Sequence, residues 1–79
     1  SLMILPNKLF TYEESSLSKF PAILNILKEQ PITASELYNK TNHLFLDIDD
    51  YVDTLCSLFA LNKILLNENG GTLHYVEND

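Results

Sequence analysis

DIDDYVDTLCSLFALNKILL, residues 47–66, changes its period partway along, and that change decides the fold. From Asp47 the apolar residues Ile48, Tyr51, Val52, Leu55 and Phe59 recur at helical spacing, which predicts one inward stripe flanked by Leu58 and Cys56. Asp49, Asp50, Asp53, Thr54 and Ser57 fall on the opposite side and are expected to face outward. Asp47 is suited to cap the helix, with Asp50 in the box position three residues on. Asn62 is suited to end it in the left-handed conformation. Cys56, on the flank, reads as a half-buried small hydrophobe.

Downstream, KILLNENGGTLHYV (63–76) sets two β-rich runs on either side of Asn69-Gly70, a strong hairpin signal. Upstream, PITASELYNKTNH (31–43) contains Thr33-Ala34-Ser35-Glu36, the pattern of a reciprocal cap, and predicts a short helix with Leu37, Tyr38 and Thr41 inward. Leu44 and Phe45 fill the turn that follows. Before it, TYEESSLSKFPAILNILKEQ (11–30) repeats Leu17, Phe20, Leu24 and Leu27 at helical intervals, with Ile23 beside them. Pro21 is best tolerated in a first turn, which favours Ser18 as the cap; a kinked helix starting earlier is the alternative. Pro31-Ile32 is placed to add a third strand beside the hairpin. Residues 3–10 form an apolar stretch interrupted by Pro6-Asn7 and read as an extended arm that packs on the body or adds to a sheet edge.

The expected fold is therefore mostly α with a small β-hairpin or sheet (α+β): three helices and a C-terminal wing, the parts of a winged helix-turn-helix. One domain over residues 3–79 is expected to accommodate them, with Ser1-Leu2 expected to be a cloning remnant ahead of Met3. In such a fold the helix after the turn, here from Asp47, is the one that enters the major groove of DNA.

The charge argues against that use. The chain has 79 residues and a net charge of −6, its five bases are all lysine, and arginine is absent. Arginine supplies the bidentate fork for phosphate and guanine. A carboxylate about 4 Å from a phosphate costs about 1 kcal/mol even in bulk water. The outward face of the third helix offers Asp49, Asp50 and Asp53 and no base, and the wing tip, Asn67 to Gly71, holds an acid and no lysine. Two readings of these aspartates stand: they cap and solubilise the helix through its dipole, or they meet a basic protein surface.

Catalytic and metal-binding patterns are missing. His43, His74 and Cys56 show none of the spacings of zinc ligands. The D-I-D-D run (47–50) lacks the glycine and glutamate of a calcium loop, and Gly70-Gly71 do not precede a helix. So small a chain has little room for a pocket of about 300–1,000 Å³. The expectation is a protein without enzymatic activity and without cofactor or metal. The lone cysteine fits a reducing compartment, and no apolar run approaches the roughly 20 residues of a membrane span, so a cytoplasmic protein is expected. Phe20, Tyr38, Tyr51 and Phe59 read as core, whereas Phe10 and Tyr12 are candidates for contact with another chain.

The stretches LPNKLFTYEESSLSKFPAIL (5–24), PITASELYNKT (31–41), DIDDYVDTLCSLFALNKI (47–64) and TLHYV (72–76) together resemble the small middle-component proteins of bacterial ABC three-component systems. The resemblance covers nearly the whole chain from Met3. It implies a winged-helix-like adaptor acting beside an ABC-type ATPase and an effector, in loci that serve bacterial conflict and defence. It carries no catalytic residues over. The residues expected to interact with protein are Pro6, Asn7, Lys8, Leu9, Phe10 and Tyr12 in and beside the arm, and Asp49, Asp50 and Asp53 on the third helix. The arm is also a candidate homodimer element. The rival reading is a DNA-binding winged-helix transcriptional regulator, and a third is a purely structural subunit.

Overall fold

The computed structural model describes residues 2–5, 8–11 and 16–77. Along the chain come strands β1 (Leu2–Leu5) and β2 (Lys8–Thr11), helix α1 (Phe20–Glu29), strand β3 (Ile32–Thr33), helices α2 (Ala34–Thr41) and α3 (Ile48–Ala60), and strands β4 (Ile64–Asn67) and β5 (Thr72–Tyr75). Short 3-10 turns at Ser16–Lys19 and Asn42–Leu44 lead out of the arm and out of α2. Three helices and a three-stranded antiparallel sheet make the fold mostly helical α+β, an arrangement compatible with a winged helix.

The start of α1 differs from expectation. Ser18 is not its cap; the N-cap position is Lys19, which makes no side-chain cap bond. An N-cap serine needs extended backbone. Here the 3-10 turn runs straight into the helix, and Lys19 already has a helical backbone at φ −93°, ψ −13°. Pro21 lies in the first turn, where its missing N–H leaves no bond unmade.

Helix α2 follows its sequence signals closely. The Glu36 amide donates to Thr33 Oγ1 at 3.1 Å, and the Thr33 amide donates back to Glu36 Oε1 at 3.4 Å. Leu37 and Thr41 are buried, and the Thr41 hydroxyl donates to the Leu37 carbonyl at 2.8 Å, so burial leaves no donor unmet.

Helix α3 is tied at both ends. Asp47, in extended backbone, accepts from the Asp50 amide through Oδ1 at 2.9 Å. The Asp50 carboxylate accepts from the amide of Leu46 at 3.0 Å, one residue upstream of the partner a reciprocal cap would use. At the far end Asn62 takes φ +60°. The Asn62 amide donates to the Phe59 carbonyl at 3.0 Å and the Lys63 amide to that of Leu58 at 2.9 Å, the paired bonds of a Schellman ending.

The expected third strand is present one residue later than read, at Ile32–Thr33. The sheet order is β3-β5-β4, with Ile32 opposite Leu73, Thr33 opposite Thr72 and Ile64 opposite Tyr75. Thr33 thus ends a strand and caps a helix at once, which fixes α2 to the sheet. The wing turns through four residues rather than two. Its left-handed position is Gly71 (φ +67°), whose amide donates to the Asn67 carbonyl at 2.7 Å. Ile64, Leu73 and Ile32 point from one sheet face into a core shared with Ile23 and Leu27 of α1, Leu37 of α2 and Leu58 of α3.

The arm is extended, as expected, but of its two expected placements it does not take the one on the wing sheet: β1 and β2 pair with each other antiparallel, Leu2 opposite Thr11 and Leu5 opposite Lys8, as a separate two-stranded sheet. The sequence reason is local. Two β-prone runs, LMIL and KLFT, flank two residues of turn-forming type.

Candidate protein-interaction surface

The decisive geometry is the rotation of α3 about its axis. The buried residues are Tyr51, Thr54, Leu55 and Leu58. Thr54, expected outside, is fully buried, and its hydroxyl donates to the Asp50 carbonyl at 2.9 Å, so the helix itself satisfies this buried hydroxyl. Leu58, expected on the flank, is at the centre of the core. Ile48 and Val52, expected inside, are 49% and 46% exposed, and Phe59 is also exposed. Cys56 is exposed rather than half-buried. With about 100° per residue, Ile48, Phe59 and Val52 lie roughly 60–100° round from Tyr51. The apolar arc of α3 is therefore wider than the face its own domain covers.

Tyr51 explains why the helix sits at this rotation. Its ring packs against Tyr38 at 4.7 Å between centroids and edge-on to Phe45 at 5.2 Å. Its hydroxyl donates to the Ala34 carbonyl at 2.7 Å, at the start of α2. A Tyr with a hydroxyl partner in the interior is held in one direction, and the helix turns to suit. Burial pushes its ionisation up to about 12.

The expected interaction residues separate into groups. Asp49 and Asp53 are exposed on α3, as read. Asp50 is half-buried, and both its amide and its carboxylate are engaged in the cap, so it serves the helix start. Lys8, Leu9 and Phe10 lie on β2 opposite Leu5, Ile4 and Met3. Pro6, Asn7 and Tyr12 lie outside the described residues.

Sequence reasoning missed Leu46. It is 93% exposed, immediately before the cap of α3. A hydrophobic residue there commonly staples back onto the fourth helical residue, here Tyr51. In this chain Tyr38 and Phe45 pack on Tyr51 instead. Leu44, Leu61, Leu65 and Leu66 are further exposed apolar residues.

Charge is disposed to match. From Leu44 to Asn62 there are four aspartates and no lysine or arginine. Lys28 is engaged elsewhere, its Nζ 5.1 Å from the centre of the Tyr75 ring. The open edge of the wing has a shallow hollow of about 260 Å³ lined by Leu65, Leu66, Asn67 and His74. His74 Nε2 and Thr72 Oγ1 are 2.9 Å apart. Among the described residues no group of three or more His, Cys, Asp or Glu is placed to hold a metal ion, and no helix is long and apolar enough to cross a membrane.

Compared with known protein families, residues 5–73 match the family described as ABC-three component (ABC-3C) system Middle Component 7. Neither the curated proteins nor the solved structures searched contain a match.

Proposed function

We propose that this chain, which belongs to the ABC-three component (ABC-3C) system Middle Component 7 family, is a non-enzymatic adaptor that binds protein. In this reading it works in the cytoplasm and links an ABC-type ATPase to an effector, within a bacterial conflict or defence system. The observation that carries the reading is the outward side of α3. It combines exposed Ile48, Val52 and Phe59 with Asp49 and Asp53 and carries no base. Exposed apolar surface next to a fixed charge of one sign suits a protein partner of opposite sign. The same surface would repel phosphate.

Co-expression with the other components of the system is the test. The adaptor reading expects a complex that survives purification with the chain in fixed proportion. Components that elute apart from the chain at every salt concentration would overturn it. The order of elements alone favours the rival, a DNA-binding regulator. That rival expects binding to duplex DNA that falls steeply as salt rises; the adaptor reading expects none even at about 50 mM salt.

A further inference from the structure

Ile48, Val52, Leu55 and Phe59 follow one another at steps of four, three and four residues. That is the a/d spacing of a helix–helix seam. Leu55 is at the border of the core, and the other three are exposed beside it. The seam is therefore half used: one flank packs on this domain, and the other lies open along the length of a 13-residue helix. Such spacing suits a second helix laid alongside, because apolar side chains repeating every 3.5 residues interdigitate with a matching stripe.

Two further observations define what that helix must carry. Asp49 and Asp53 border the open side, both exposed. Leu46 stands at the start of the seam, 93% exposed, with its backbone amide held by the Asp50 carboxylate at 3.0 Å. A large apolar side chain on a pinned backbone loses little freedom on burial and is suited to fill a partner's pocket.

We infer that α3 pairs through Ile48, Val52 and Phe59 with an amphipathic helix of another protein, one with lysine or arginine beside its apolar stripe. The inference rests on the adaptor reading and adds to it the face used and the chemistry of the partner. A second copy of this chain is the poorer occupant. It would bring one −6 chain against another, each with four aspartates and no lysine or arginine between Leu44 and Asn62.

The test uses the full chain with the other components of its ABC-3C system, with affinities taken from titration of the purified partner. Val52→Asp places a charge in the open seam. The double change Asp49→Lys, Asp53→Lys reverses its border. Leu65→Asp, on the outer face of the wing, is the control, and thermal melts report that each variant is folded. The expected result is a loss of about tenfold or more for each of the first two and less than about twofold for the third, the range of a change outside the contact. If the complex forms and neither α3 variant weakens it, the seam assignment is wrong while the adaptor reading stands. If the unaltered chain forms no complex, the adaptor reading fails and this inference fails with it. Light scattering that shows a dimer of the chain alone, abolished by Val52→Asp, would assign the seam to a second copy and overturn the basic partner.

Discussion

Tyr51 ties the third helix to the second. Its hydroxyl donates to the Ala34 carbonyl, and its ring is held between Tyr38 and Phe45, so one side chain sets α3 against α2. Tyr51→Phe keeps the ring and removes the bond, and is expected to lower stability by about 1 kcal/mol in chemical denaturation. Its ionisation adds a pH signature. The folded value is raised to about 12 from an ordinary value near 10. Between these values the unfolded chain gives up the phenol proton and the folded chain keeps it. Stability therefore falls as pH rises from about 10 to about 12, and is unaffected by this group below that window. Tyr51→Phe should flatten the fall; an unchanged slope would show that other groups cause it. Asn62 has a local role that the sequence already suggests, as the stop of α3. At φ +60° it takes a conformation that glycine adopts freely and alanine resists. Asn62→Gly is expected to be near neutral, and Asn62→Ala to cost about 1 kcal/mol.

At the scale of elements, the ends of α2 and α3 are more legible in the sequence than the start of α1 or the buried face of α3. The caps at Thr33 and Asp47 and the stop at Asn62 are short-range devices, each written within four or five residues, and each forms the bonds its residue types allow. Thr33→Ala should cost about 1 kcal/mol and fray the start of α2, which amide exchange would report as faster exchange at Glu36. The burial face of α3 departs from the expected one for a physical reason. Its apolar residues span an arc too wide to be one domain's core face, and an average over all of them points between the buried stripe and the exposed one. Thr54 reinforced the error. A hydroxyl suggests an outward residue, but one bonded to the carbonyl four residues back can be buried without loss. Thr54→Val should accordingly change stability by less than about 1 kcal/mol. The arm was read as extended, and it is, but its pairing partner lies within the arm itself. Of the surface proposed for binding, the sequence shows the charge of Asp49 and Asp53, whereas the exposure of Ile48, Val52 and Phe59 becomes visible only with the rotation of the helix.

For the whole molecule, the balance of charge and apolar surface separates the possible clients. A net charge of −6 and the absence of arginine weigh against a phosphate-binding surface, and the third helix presents carboxylates where a groove-reading helix presents donors. The same helix leaves three apolar side chains open beside a core already formed around Ile23, Leu37, Leu58, Ile64 and Leu73. A two-stranded hairpin such as β1–β2 is marginal in water by itself, whereas the helices and the wing sheet share a core that runs from Ile23 to Leu73. Removal of residues 1–11 is therefore expected to leave a cooperative melt, and its loss would show that the arm belongs to the core. The most direct measurement of the central claim is size-exclusion chromatography with light scattering on the co-expressed components of the system, with and without this chain. The account predicts a single species whose mass includes the chain, and separate components when Val52→Asp replaces it. A mixture in which the chain elutes alone, unchanged by the presence of the other components, would contradict it.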